Sequence, residues 1–93
     1  MKTWNDYKTH VKSQSITDRK TIEDIEEQAS IISTVIAQRH ALGISQRELA
    51  TRCGIPQSSI ARIESMKTTP NLDTLLKIMH QLGLKIVISQ IGN

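Results

Sequence analysis

The chain has 93 residues, enough for one modest hydrophobic core and too few for a multidomain protein. Its only aromatic residues are Trp4 and Tyr7, so the core must be aliphatic, which favours a helical bundle over a sheet sandwich. The net charge of +3 permits nucleic-acid binding without establishing it, and the lack of a signal-like or membrane-length apolar run predicts a cytoplasmic protein.

Residues 1–20 are predicted to form an N-terminal extension, with a short helix followed by a polar linker at residues 13–15. Trp4, Tyr7 and Val11 share one face of that helix. Because aromatic residues are favoured anchors at interfaces, this face is a candidate surface for a partner protein. Packing of the same face onto the chain's own helices carries equal weight.

Apolar residues recur at steps of three and four between Thr21 and Leu42, which predicts an amphipathic helix that ends at Gly43. This apolar stripe is expected to form the wall against which the following helices pack. The first turns are acidic, which suits either a solvated helix N-terminus or a binding surface. The stripe consists of Ile22, Ile25, Ala29, Ile32, Val35 and Ile36, and the acidic cluster consists of Glu23, Asp24, Glu26 and Glu27.

Two short helices joined by a tight turn are predicted next, over residues 46–53 and 57–64. Ser45 and Glu48 have the spacing of a capping box, in which each side chain binds a free backbone amide of the other residue. Gly54 follows the first helix, where glycine tolerates a left-handed backbone best. Small and apolar residues form the seam between the two helices: Leu49, Ala50, Cys53, Ile55, Ile60 and Ile63.

The outer face of the second helix predicts DNA recognition. With Ile60 and Ile63 turned inward, the opposite face is short and polar and carries one cation. Glutamine can bind adenine and arginine can bind guanine through paired hydrogen bonds, while serine and alanine fit around neighbouring groups. A helical hairpin with a merely solvated outer face is the less favoured alternative. The predicted base-contacting residues are Gln57, Ser58, Ala61 and Arg62.

Charge distribution supports this face as a DNA-binding surface. Residues 39–69 carry a net charge of +3, equal to that of the whole chain. The cations are Arg39, Arg47, Arg52, Arg62 and Lys67, and the acids are Glu48 and Glu64.

A last helix is predicted from Asn71, its cap, to Gly83, its stop. Residues 84–91 are then rich in β-branched side chains, which predicts a strand. Because a lone strand leaves its backbone groups unpaired, two copies are expected to pair antiparallel through residues 84–93 in a homodimer. A docked or disordered tail is the alternative. The buried face of the helix is predicted at Leu72, Leu75, Leu76, Met79 and Leu82, and the dimerisation residues are Leu84, Ile86, Val87 and Ile88.

Catalytic and metal-binding patterns are missing from the sequence. Cys53 is the only cysteine and occupies an apolar helical position, so a buried reduced thiol is expected. His10, His40 and His80 are scattered without paired ligands at metal-binding spacing. We therefore predict neither a metal, nor a cofactor, nor an enzymatic activity.

The central motifs resemble those of the phage-repressor-like (XRE) helix-turn-helix family. They read Gly43-Ile44-Ser45-Gln46-x-x-Leu49-Ala50, Gly54-Ile55-x-Gln57-x-x-Ile60, Ile63-Glu64 and Pro70-x-Leu72-x-x-Leu75-x-x-Ile78. The resemblance implies an all-α, five-helix-type, lambda-repressor-like domain over residues 21–83. One departure is Ser65-Met66 in place of the common Asn-Gly, where a left-handed Met66 would be strained. Phosphate contacts are implied at Gln46, Arg52, Ser59, Lys67, Thr68 and Thr69.

Chain length, the helical extension and the terminal strand further resemble the antitoxins of HigA-like toxin-antitoxin pairs. That resemblance implies a repressor that binds an inverted-repeat operator, represses its own operon and neutralises a small, basic, messenger-RNA-cleaving toxin. A stand-alone repressor of phage or mobile-element type, without a toxin partner, is the alternative. The toxin-binding residues are predicted at Trp4, Tyr7, Val11, Glu23, Asp24, Glu26 and Glu27.

Overall fold

A computed structural model describes residues 18–91, with side chains from residue 22 onward. The chain divides into two compact units, residues 1–30 and residues 31–93. The helix predicted around Trp4, Tyr7 and Val11 lies outside the described residues, so the five-helix count stays a prediction. Within residues 18–91 the structure has no strand and four helices: α1 (Asp18–Ala41), α2 (Gln46–Cys53), α3 (Gln57–Glu64) and α4 (Leu72–Gln81).

Local side-chain caps fix where two of the helices begin. The Ser45 hydroxyl accepts a hydrogen bond from the backbone amide of Glu48 at 3.0 Å, and Asn71 Oδ1 accepts one from Thr74 at 2.8 Å. Both predicted caps are therefore present. The other half of the capping box differs from the prediction, because the Glu48 carboxylate accepts a hydrogen bond from Arg52 Nη2 at 2.6 Å.

All four described helices end in the same backbone motif. An amide two residues beyond α2, and three residues beyond each of the other helices, donates to a carbonyl five positions earlier, at 2.8 to 3.0 Å. This closure needs one residue with a left-handed backbone. That residue is Gly43 after α1, Gly54 after α2 and Gly83 after α4, with φ between 69° and 74°. After α3 it is Met66, with φ 63°, so this loop adopts the left-handed turn despite the strain expected for a non-glycine residue.

The hydrophobic core of the second unit joins parts of all four helices. The predicted seam is confirmed, since Leu49, Ile60 and Ile63 are almost fully buried. Leu72, predicted on the buried face of α4, is 64% exposed because it occupies the first residue of that helix, before its inward-facing turns. The core consists of Ile32, Val35, Ile44, Leu49, Ala50, Cys53, Ile60, Ile63, Ile78, Met79 and Leu82.

The predicted apolar stripe of α1 is buried only in its C-terminal half. Ile32 and Val35 belong to the core, but Ile22 and Ile25 are each 52% exposed. The expectation that the whole stripe forms a wall for the following helices is therefore wrong. Ile22 and Ile25 fall in the first unit, whereas the core is drawn from residues 32–82.

The segment after α4 has no regular secondary structure over residues 84–90, so the predicted strand is not present in the single chain. Leu84 packs partly against the core, but Ile88 and Ile91 are 90% and 99% exposed. The physical reason is that a strand needs a neighbour for its backbone hydrogen bonds, and residues 18–91 offer none. Pairing between two copies stays a prediction.

Candidate nucleic-acid interface

A buried ion pair fixes the C-terminal end of α3 to α1. Arg39 donates from Nε to Glu64 Oε2 at 2.7 Å and from Nη2 to Glu64 Oε1 at 2.9 Å. The two side chains are only 9% and 7% exposed. Arg39 Nη1 also donates to the Ile44 carbonyl at 2.9 Å, and Gln46 Nε2 donates to Glu64 Oε1 at 2.9 Å. One carboxylate therefore connects α1, α2 and α3.

The hydrogen bonds to Glu64 keep its carboxylate charged. Burial alone would raise the pKa of this carboxyl. The hydrogen bonds from Arg39 and Gln46, together with the charges of Arg39 and His40, outweigh burial and hold the pKa below its ordinary value. No buried side-chain nitrogen or oxygen among the described residues lacks a hydrogen-bond partner, so the network is complete.

This network corrects the charge distribution expected from the sequence. Arg39 is one of the cations that the sequence predicts to face DNA, but its guanidinium is buried against Glu64. Because one positive and one negative side chain are buried together, the exposed side chains of residues 39–69 still carry a net charge of +3. Gln46 is a predicted phosphate contact, and its side-chain amide donates a hydrogen bond to Glu64. Its contact with DNA stays a prediction.

The outer face of α3 is exposed as its periodicity predicted. Gln57, Ser58 and Arg62 are exposed and Ala61 is half-buried, whereas Ile60 on the opposite side is almost fully buried. These four predicted base-contacting residues therefore share a surface whose orientation is fixed by the Glu64 network at one end of the helix.

The predicted phosphate-contacting residues lie on α2, on α3 and in the loop after α3. Arg52 forms an exposed ion pair with Glu48 at 2.6 Å. Exposed pairs of this kind contribute little to stability, so Arg52 can exchange Glu48 for a phosphate at small cost. Lys67, Thr68 and Thr69 are exposed, and Ser59 is half-buried.

An open groove of about 420 Å³ brings several predicted contacts together. It lies between α3, the following loop and the start of α4, and Ser59, Arg62, Thr68 and Thr74 supply its polar lining. A predicted base-contacting side chain, Arg62, is thus a neighbour of two predicted phosphate-contacting side chains.

Cys53 is buried and free, as expected from its position on α2. Burial raises the pKa of its thiol, partly opposed by the charge of Lys77, so the thiol is a poor nucleophile. Among the described side chains, no group of three histidine, cysteine or carboxylate residues is arranged to hold a metal ion. None of the helices in residues 18–91 has the length and apolarity needed to cross a membrane.

A family profile described as helix-turn-helix matches residues 35–88, which include most of the core, the Glu64 network and the outer face of α3. The chain belongs to the XRE-type helix-turn-helix family. It is 38% identical over 92 residues to an uncharacterized HTH-type transcriptional regulator of Haemophilus influenzae, a match that covers 97% of this chain and 89% of the relative. The chain is therefore a helix-turn-helix transcriptional regulator, and its relatives are regulators and antitoxins rather than enzymes.

Two further relatives of this regulator belong to toxin-antitoxin systems. The antitoxin HigA1 of Mycobacterium tuberculosis is 32% identical over 66 residues, which cover 71% of this chain and 44% of the antitoxin. A solved toxin-antitoxin module from Streptococcus pneumoniae is similar over 99% of this chain and 96% of the matched chain, with a TM-score of 0.64 and 32% identity. The regulator thus spans less than half of the mycobacterial antitoxin but nearly all of the streptococcal chain.

The Arg39–Glu64 pair is the part of the site that sequence reasoning missed. A signal was present in the helical period of each partner. Arg39 follows Ile32 by seven positions and Val35 by four, which places it on the buried stripe of α1. Glu64 follows Ile60 by four positions on the buried face of α3. Two opposite charges at inward positions predict a buried pair.

Proposed function

We propose that the regulator reads an operator through the exposed face of α3, which we call the recognition helix. Its exposed polar face, held by the buried Arg39–Glu64 pair, is the observation that carries the proposal. In the major groove, Gln57 would bind adenine and Arg62 would bind guanine through paired hydrogen bonds. Ser58 and Ala61 would contact the adjoining bases. Phosphate contacts are assigned to Gln46, Arg52, Ser59, Lys67, Thr68 and Thr69.

Homodimerisation would let two recognition helices bind one inverted repeat. The exposed, β-branched segment after α4 supports this assignment, because Val87 and Ile88 would be covered by pairing with a second copy. Leu84 and Ile86 complete the proposed strand. Two recognition helices would then enter successive major grooves about 34 Å apart. Because the target is chromosomal or plasmid DNA, the proposed site of action is the cytoplasm.

We further propose that the regulator represses its own operon as the antitoxin of a type II toxin-antitoxin pair. The near full-length similarity to a chain of the streptococcal toxin-antitoxin module supports this role, and so does the partial similarity to HigA1. The toxin would be a small, basic, messenger-RNA-cleaving protein, since an enzyme that binds a polyanion needs cationic surface.

The described part of the proposed toxin-binding surface lies at the start of α1. Glu23, Asp24, Glu26 and Glu27 are all exposed, and residues 22–29 contain no cation. Ile22 and Ile25, each 52% exposed, adjoin this acidic cluster and supply apolar contact area. Acidic residues would attract a basic toxin while apolar residues provide most of the affinity. Trp4, Tyr7 and Val11 are assigned to the same surface and lie outside the described residues.

A stand-alone repressor remains the second candidate function. The relative from Haemophilus influenzae, which matches 97% of this chain, is named as a transcriptional regulator without mention of a toxin. The two candidates share the same DNA-binding chemistry and differ only in whether a protein partner exists.

Co-expression with the product of the neighbouring gene separates the two candidates. We expect the full-length regulator to co-purify with that product and to relieve its toxicity. Two altered proteins should bind that product more weakly while retaining operator binding: a truncated regulator that starts at Thr21, and a Glu26→Lys/Glu27→Lys variant. Asp73→Lys, on α4, changes a charge in the second unit of the chain and serves as the control. If the full-length protein neither binds nor neutralises the product of the neighbouring gene, the antitoxin role is excluded and the stand-alone repressor is the function retained.

A further inference from the structure

Met66 is the exception among the four helix ends of the described chain. Each helix is closed by the same pair of backbone hydrogen bonds around a left-handed residue, and the other three such residues are glycine. At φ 63° the Cβ of an L-residue crowds its own backbone, which glycine avoids. Among the four described helices, the recognition helix is therefore the one that ends on a residue with a strained backbone.

The folded domain covers only part of the Met66 side chain in return for this strain. Met66 is 41% exposed and belongs neither to the core nor to the half-buried residues packed against it. Its amide donates to the Ile63 carbonyl, a bond that glycine would make equally well. Non-glycine residues held in this region often mark functional positions, where the side chain acts in another state of the protein.

The surroundings of Met66 favour a polyanionic partner. Between residues 57 and 72 the only acid is Glu64, whose carboxylate is buried against Arg39. Arg62 and Lys67, on either side of Met66 in the sequence, are both exposed. A partner surface that faced Met66 would therefore also meet two cations and no exposed carboxylate from this segment.

We propose that Met66 is a DNA-contacting residue whose side chain packs on a deoxyribose of the backbone, beside the phosphate assigned to Lys67. This inference rests on the proposed operator binding. Methionine is long, unbranched and uncharged, so it can lie along an apolar sugar edge between two phosphates without repelling either. The contact forms only in the complex and compensates there for the strain of the free protein.

Four proteins test the inference on the duplex upstream of the regulator's own gene and on a scrambled duplex: the unmodified chain, Met66→Gly, Met66→Asn and Met66→Leu. Glycine and asparagine both accept the left-handed backbone but lack the apolar side chain. We expect both to raise the thermal unfolding midpoint and to weaken binding to both duplexes, by about three- to tenfold. Met66→Leu keeps the strain and the apolar contact, so its affinity and stability should stay near those of the unmodified chain.

Met66→Asn distinguishes loss of the apolar side chain from added backbone flexibility, since only Met66→Gly makes the loop more flexible. A Met66→Gly protein that is more stable and binds DNA as tightly as the unmodified chain would overturn the inference. A loss confined to the upstream duplex would also overturn it, because sugar contacts carry no base preference. If the unmodified protein does not distinguish the two duplexes, the proposed operator reading fails, an outcome distinct from failure at Met66 alone.

Discussion

Arg39 and Glu64 lie 25 positions apart in the sequence and are joined by two hydrogen bonds of 2.7 and 2.9 Å. The pair connects the C-terminal part of α1 to the last residue of the recognition helix. Gln46, the first residue of α2, shares the same carboxylate. The surface assigned to DNA is thus supported from inside by the buried Arg39–Glu64 pair.

Removing one partner of this pair should be strongly destabilising. Arg39→Met leaves the Glu64 carboxylate buried without its cation, and Glu64→Leu leaves the guanidinium without its anion. We expect each to lower the free energy of unfolding by about 3 to 5 kcal/mol in urea denaturation at neutral pH. The double variant removes both charges and should lose less than the sum of the two single losses.

Arg52→Met provides the matched control, because it breaks the exposed pair between Arg52 and Glu48. Its cost should be no more than about 1 kcal/mol. If the decreases in the free energy of unfolding caused by Arg39→Met and Glu64→Leu simply add in the double variant, the two residues are not coupled.

The same pair predicts a pH dependence of stability. The pKa of the Glu64 carboxyl is lowered by folding from its ordinary value of 4.5, despite burial, because Arg39 and Gln46 donate to it. Its contribution to stability is therefore complete above that ordinary value and is lost as the pH falls toward the lowered folded-state pKa. The free energy of unfolding should fall more steeply below about pH 5 in the unmodified protein than in Glu64→Gln. Parallel curves for the two proteins would show that Glu64 does not contribute this dependence.

Much of the fold follows from local sequence signals. Ser45, Gly54 and Asn71 mark helix ends through bonds to their immediate neighbours, and each takes the predicted role. Ile60 and Ile63 face inward because a helical period and a single core leave no other choice. The left-handed backbone of Met66 could not be predicted in this way, because a non-glycine residue is strained in that conformation.

Other features depend on distant residues or on a second chain. The partner of Arg39 could have been found only by combining the periods of two helices far apart in sequence. Ile22 and Ile25 continue the apolar period of α1, but the period does not reveal where the core stops. The strand predicted after Gly83 requires a hydrogen-bonding neighbour, so the composition of this segment alone could not produce a strand in one chain.

Dimerisation through the C-terminal segment has a direct test. Deleting residues 84–93 should leave the helices folded by circular dichroism but shift the protein toward monomer in light scattering. Operator affinity should fall because two half-sites are no longer linked. Val87→Asp/Ile88→Asp should act like the deletion, by placing charge on a face to be covered, whereas Lys85→Gln should not. A deleted protein that remains dimeric would place the interface on the helices.

The central claim is that the exposed face of α3 reads bases, and equilibrium titration of operator and scrambled duplexes at two salt concentrations tests it most directly. Gln57→Ala and Arg62→Ala should each weaken operator binding by about 1 to 3 kcal/mol and leave scrambled DNA much less affected. Arg52→Ala and Lys67→Ala serve as the contrast, because loss of a phosphate contact should weaken both duplexes alike and flatten the salt dependence. Equal losses on both duplexes for Gln57→Ala and Arg62→Ala would contradict base reading by α3.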